Sequence, residues 1–344
     1  MTTKLLRDIL RQPAELEALL DRTRPQRAAA ILREARDVYV AGIGASWNAG
    51  LGILPFFLRS GRTACLADAS ELMHQNTFLP GSAILALSRS GKSVELVRIA
   101  ELAEARDLRL VAVTNAPDSP LAAGADEAVL TGVGFDHGVS VVTYSAIALA
   151  GALVAAGSIK REETDRLRHA FREMPERMEA WREQMGRSSW FATEAPTYFL
   201  GRGSSLASAH EAMLLWEEAA KAPASAMTAG GFRHGPQEVA APGLRVGLWI
   251  DGERRRREDL SLVRDLRQLG ARVMTIGQDL PDDAGDLVIN LPAVPAAWQF
   301  VVDVVPAQLA AEHLSRIRGV DCDSFRLCSY VVESEGGILK SVTG

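Results

Sequence analysis

Cysteine is scarce in this chain: Cys65, Cys322 and Cys328 are the three in 344 residues. They form an odd set with no metal-ligand spacing, which excludes a disulfide framework and a zinc site and points to a reducing compartment. We expect them to be buried small hydrophobes. Long apolar runs are also missing. The longest, Ala146 to Gly157, falls short of the roughly 20 residues that cross a bilayer and reads as a buried helix. Met1 to Gln12 alternates basic and apolar residues and lacks the apolar core and cleavage site of a signal peptide. No excess of positive charge exists either, since the net charge is -5. The one basic run, Arg254 to Arg257, is bracketed by Glu253, Glu258 and Asp259 and reads as a solvated helix start, not a nucleic-acid contact. Together these absences predict a cytoplasmic protein without nucleic-acid or membrane partners.

What remains is a globular composition, 47% hydrophobic and 24% charged, in a chain long enough for two cores. Short β-branched runs alternate with longer helical patterns, the signature of parallel sheets with crossover helices. The spacing predicts strands at residues 37–41, 64–67, 83–87, 110–114 and 127–130, with helices at 47–58, 93–105 and 142–156. A charged stretch at 158–187 repeats Leu167, Phe171, Met174 and Met178 on one face and reads as a linking helix. Beyond it we expect strands at 197–200, 246–250, 273–276 and 286–289, and helices at 206–221, 259–269 and 297–317. Tyr39-Val-Ala-Gly-Ile-Gly-Ala-Ser46 aligns with Tyr198-Phe-Leu-Gly-Arg-Gly-Ser-Ser205, which implies two copies of one α/β domain.

In an open parallel sheet, ligands collect beyond the carboxyl ends of the strands. Ser46 follows the first strand, and Ser88-Arg89-Ser90-Gly91-Lys92-Ser93 follows the third and opens a helix. Helix-start amides and hydroxyls there favour an anion, and a phosphate monoester fits. Serines at such positions also serve as plain caps and turn formers. Two nucleotide motifs are excluded. The first glycine of a Walker A pattern ending in Gly91-Lys92-Ser93 would be Ala86, and the third glycine of the dinucleotide fingerprint beginning at Gly42 would be Trp47. In the second half, Glu211, Glu217 and Glu218 lie on the helix after the repeated turn, and His234 stands in Ala229-Gly-Gly-Phe-Arg-His-Gly-Pro236. A histidine on a tight loop can reach a ligand. No pattern calls for a metal or an organic cofactor.

These elements resemble the sugar isomerase (SIS) family, and within it the isomerase half of glucosamine-6-phosphate synthases. The likeness runs through Gly42-Ile-Gly-Ala-Ser-Trp-Asn48, Leu87 to Ser93, Val139-Ser-Val-Val-Thr-Tyr144, Leu200-Gly-Arg-Gly203, Glu211 to Glu218, Arg233-His-Gly-Pro236 and Leu339-Lys-Ser-Val-Thr343. The resemblance implies two tandem SIS domains, each a parallel five-stranded sheet flanked by helices in the flavodoxin-like manner. The chain would then divide into an N-terminal helical segment (1–24), a first domain (25–158), a linking helix (159–190), a second domain (191–330) and a tail (331–344). It further implies that Ser46, Ser88, Arg89, Ser90, Gly91 and Ser93 bind phosphate and that Ser140 contacts the sugar. Glu218 matches the general base between carbons 1 and 2, His234 the ring-opening histidine supplied by the neighbouring subunit of a homodimer, and Lys340 the tail lysine near the reactive end. Departures appear too. No glutamine amidotransferase segment precedes the first domain, from which we expect no glutamine-driven synthesis, and Leu215 stands where the synthases have a lysine.

The resulting expectation is an aldose–ketose isomerase or deaminase that converts a hexosamine 6-phosphate, such as glucosamine 6-phosphate, to ammonia and fructose 6-phosphate. The alternatives are a fructosamine-6-phosphate deglycase, for which Leu215 would line a less polar pocket, and a sugar-phosphate sensor without turnover.

Overall fold

The short apolar runs of the first half become five parallel strands: β1 (Val38–Gly42), β2 (Ala64–Asp68), β3 (Ala83–Ser88), β4 (Arg109–Thr114) and β5 (Glu127–Leu130). Their order is β2-β1-β3-β4-β5. Every residue of β3 is buried, as a central strand covered on both faces must be, which is why its sequence is a continuous apolar run up to Ser88 at its carboxyl end. Ala41 of β1 lies opposite Ala86 of β3, and Ser88 opposite Thr114 of β4, so all the carboxyl ends point to one edge. On one face Ile84, Ala86, Leu110 and Ala112 pack with Leu96 and Ile99 of helix Val94–Ala105. The apolar stretch read as a buried helix lies in one: helix Val142–Ala156 has fourteen buried residues. It lies so close to helix Ala45–Arg59 that a Cβ at Gly151 would fall 2.4 Å from Ile53.

The computed structural model describes residues 2–75, 78–192 and 196–334. The chain divides into two compact units, one formed by the N-terminal segment to Ala18 with Ile159–Cys322, the other by Leu19–Ser158 with the segment from Asp323 onward. The charged helix Arg161–Arg187, expected as a linker, falls in the former unit and buries Leu167, Phe171, Met174 and Met178. That unit holds a second parallel sheet of β6 (Thr197–Gly201), β7 (Ala224–Thr228), β8 (Arg245–Trp249), β9 (Arg272–Gly277) and β10 (Leu287–Asn290), in the order β10-β9-β8-β6-β7. Counted from each sheet's first strand, the two orders are the same.

Strand β7, Ala-Ser-Ala-Met-Thr, is not among the sequence expectations, because its small residues carry no strand signal. The helix expected at 297–317 is interrupted: Phe300–Asp303 and Val305–Arg318 are separated at Val304, since Pro306 has no amide to bond the preceding turn. The unit's core is aromatic, with Phe199 set edge-on against Trp216 at 4.9 Å and Trp216 against Trp190 at 5.9 Å. Two of the three cysteines depart from expectation, since Cys65 and Cys328 are exposed and Cys322 alone is buried. Among the described residues, no helix is long and apolar enough to cross a membrane.

Candidate functional site

The repeated Gly-x-Gly-x-Ser turn is explained by geometry. A Cβ at Gly42 would lie 2.7 Å from the backbone of Ser46, and one at Gly201 would lie 2.6 Å from that of Ser205. Each first glycine therefore lets the following helix start directly over its strand. The second glycines, Gly44 and Gly203, adopt φ of 54° and 53°, the left-handed region that favours glycine. By this device Ser46 stands in the first turn of helix Ala45–Arg59, off the end of β1, next to the end of β3 where Ser88 lies.

The β3 loop is built from its own serines. Ser88 Oγ accepts the Gly91 amide at 2.9 Å, and Ser90 Oγ accepts the Lys92 amide at 3.2 Å. Gly91 has φ of 60°, and a Cβ there would fall 2.1 Å from Ser119 Oγ. Ser88 and Ser90 are 3% and 8% exposed, so each hydroxyl, already an acceptor, has its own O–H left to donate. The sequence expectation of unpaired amides does not hold throughout this loop, because the amides of Gly91 and Lys92 are taken by these serines and that of Val94 by Val332. Ser93 precedes helix Val94–Ala105 and makes no cap bond with its side chain.

Ser140 lies on the same edge, after β5, and its hydroxyl bonds Thr143 at 2.8 Å. Behind it, the buried Asp136 carboxylate accepts the amides of Val141, Val142 and Thr143 and so caps helix Val142–Ala156. Sequence reasoning missed Asp136, because it reaches the helix from six residues upstream of its first residue, outside the usual capping position. Arg89 is held by the chain's own C-terminal segment. Its guanidinium stacks on the Tyr330 ring at 4.0 Å and donates to the carbonyls of Tyr330 at 2.6 Å and Gly138 at 3.2 Å. Tyr330 in turn donates its hydroxyl to the Asp136 carbonyl at 2.8 Å.

The proton-transfer candidates lie in the other unit. Glu218 is the half-buried last residue of helix Ser205–Glu218, and its carbonyl accepts from Lys221. Glu211 is buried at 1% exposure, and burial pushes the neighbouring Glu217 carboxyl above its usual range. Leu215 is fully buried, so it packs in the core and does not line a pocket. His234 is exposed in the turn after the short helix Ala229–Phe232, which Thr228 caps through the Gly231 amide at 2.8 Å. Lys340 lies outside the described residues.

Two buried carboxylates in this unit had no sequence signal. Asp259, fully buried, receives Arg202 Nε at 2.7 Å and the Asp251 amide at 3.1 Å. Asp303, also fully buried, accepts Ser205 at 2.6 Å, Gln299 at 3.1 Å and Ser208. Burial pushes its carboxyl up to about 6, against the opposing pull of these donors.

This fold is shared with known proteins. The C-terminal domain of glucosamine-fructose-6-phosphate aminotransferase from Francisella tularensis superposes with a TM-score of 0.84 at 21% identity, covering 94% of this chain and 98% of that one. Glucosamine-6-phosphate deaminase from Thermotoga maritima does so with a TM-score of 0.80 at 22% identity, covering 96% and 99%. In sequence, the chain is 26% identical over 346 residues to the isomerizing glutamine–fructose-6-phosphate aminotransferase of Pyrobaculum aerophilum, matching 96% of this chain and 57% of that protein. The chain thus spans little more than half the length of that relative. Residues 31–156 match the family model of the SIS domain, a stretch that takes in Ser46, Ser88, Ser90, Ser93 and Ser140 and leaves Glu218 and His234 in the half beyond it.

Proposed function

We propose that this protein is a phosphosugar aldose–ketose isomerase that acts as a deaminase on a hexosamine 6-phosphate. The observation that carries the reading is the gathering of Ser46, Ser88, Ser90, Ser93 and Ser140 on the carboxyl edge of one parallel sheet. Hydroxyl donors beside a helix start suit a phosphate monoester, which needs several short hydrogen bonds more than it needs bulk charge. The relatives named above carry fructose 6-phosphate or glucosamine 6-phosphate in their names, which supports a six-carbon phosphorylated substrate.

In this reading the phosphate is held by the serine edge, and His234 of the partner subunit in a homodimer moves the proton that opens the ring and exposes the carbon-1 aldehyde. Glu218 takes the proton from carbon 2 and returns it to carbon 1. The carbon-2 amine becomes an imine, and water adds across it to give fructose 6-phosphate and ammonia. Lys340 is assigned to the reactive end by resemblance alone. Full burial of Leu215 withdraws the argument for a deglycase that rested on a less polar pocket there.

A sugar-phosphate sensor is the remaining alternative, supported by the absence of a lysine at Leu215. Glu218→Gln distinguishes the two. We expect the variant to bind glucosamine 6-phosphate within a few-fold of the wild type while ammonia release falls by 100-fold or more, in line with the 10²–10⁴ usual for a general base. Wild-type protein that binds the sugar but releases neither ammonia nor fructose 6-phosphate would leave the sensor.

A further inference from the structure

The second sheet has a cavity of about 400 Å³ lined by Arg202, Arg233, His234, Gln237, Arg255 and Glu258 among others. Its position follows from the internal repeat. Arg202 lies between Gly201 and Gly203 in the turn after β6, where the first copy has Ile43 between Gly42 and Gly44. The same carboxyl edge that carries serines in the first sheet thus carries guanidinium groups in the second.

The loop after β8 explains the change of chemistry. Asp251 Oδ1 accepts the amides of Glu253 at 2.9 Å and Arg254 at 3.2 Å, so a carboxylate of the chain itself fills the place that a ligand would take at those amides. A ligand here must be held by side chains. Arg202 is positioned for that: its Nε is tied to Asp259, fully buried behind it, at 2.7 Å, which orients the fork. Arg255 pairs with Glu258 only at 3.5 Å between exposed groups, a contact of little energy. Arg233 and His234 make no ion pair among the described residues. The lining is therefore cationic in a protein whose net charge is negative.

We propose that the arginine side of this cavity, Arg202, Arg233 and Arg255, is a second anion site that takes a phosphoryl dianion and does not use His234, which the proposed ring opening already engages. One arginine satisfies a carboxylate; three guanidinium groups suit a tetrahedral dianion with more acceptor positions. The dianion can be inorganic phosphate or the phosphate of a sugar.

Calorimetric titration of the full chain at physiological salt, with inorganic phosphate and separately with glucosamine 6-phosphate, tests the assignment. Two classes of phosphate binding are expected in the wild type. Arg233→Gln with Arg255→Gln, both at exposed positions, removes one class or weakens it tenfold or more, and Ser88→Ala with Ser90→Ala removes the other. Arg202→Gln is a second variant for the cavity, checked for an unchanged melting temperature because it exposes Asp259 to loss of its partner. If the cavity takes sugar phosphate, the glucosamine 6-phosphate isotherm loses the same class; if it takes the free ion, only the phosphate isotherm changes. A Arg233→Gln/Arg255→Gln protein that binds phosphate as the wild type does overturns the proposal, as does a wild type with a single class that only the serine variant removes. Failure of the serine-edge reading looks different: the serine variant binds normally while the arginine variant loses binding.

Discussion

Asp303 shows how much a single buried group can govern. Its carboxyl ionises at about 6 in the folded protein against 3.8 for the free side chain, so between those values the folded state holds a proton that the unfolded state has released. Stability from this group is present below pH 3.8 and is lost as pH rises through about 6. The shift corresponds to on the order of 3 kcal/mol. Asp303→Asn cannot titrate, so the wild type should lose about that much stability relative to the variant between pH 4 and pH 7, measured by urea denaturation at each pH. A difference that stays flat across the range would show that Ser205, Ser208 and Gln299 fully offset the burial. No sequence pattern points to Asp303, because Ser205 and Ser208 lie 98 and 95 residues away. Ser88, Ser90 and Ser93 are legible for the opposite reason: their placement follows from one local rule, that residues at strand ends of a parallel sheet face its carboxyl edge.

At the scale of elements, most strands can be read because a strand buried on both faces must be apolar over most of its length, as β3 is from Ala83 to Leu87. Strand β7 escapes that logic, being an edge strand of small residues paired only with β6; its counterpart β2, similarly placed beside β1, was the available signal. The segment Asp323–Tyr330 and the two residues after it are the other illegible element, since they have no regular structure and act through contacts with distant loops. Tyr330 stacks on Arg89, and Val332 accepts the Val94 amide at 3.1 Å, so the segment occupies donors beside the proposed phosphate site. Tyr330→Ala should release it. Loss of an exposed cation–π contact of about 0.5–1 kcal/mol predicts phosphate binding at the serine edge tightened roughly two- to fivefold, with faster hydrogen exchange at the Val94 amide. Weaker binding in this variant would mean that Tyr330 holds Arg89 ready for the ligand and does not compete with it.

For the molecule as a whole, the division into units is discontinuous in sequence, which neither periodicity nor composition could announce. The N-terminal segment to Ala18 belongs with the second sheet. There Thr3 donates to Glu312 at 3.0 Å, Gln12 donates to Gln308, and Arg172 pairs with Glu17 at 2.7 Å. Leu5, Leu6, Ile9 and Leu16 are each less than 5% exposed. At about 1.5–3 kcal/mol for each fully buried side chain, taken as an upper bound, removal of residues 2–18 should destabilise this unit by on the order of 5 kcal/mol. Intrinsic fluorescence can follow it selectively, because Trp181, Trp190, Trp216, Trp249 and Trp298 all lie in this unit and Trp47 alone in the other. The deletion should move the tryptophan unfolding midpoint to lower urea by well over 1 M, given a slope near 1–3 kcal/mol per molar. An unchanged midpoint would mean that the N-terminal helix adds nothing to the unit in which its apolar face is buried, and that the second sheet with helix Arg161–Arg187 is self-sufficient.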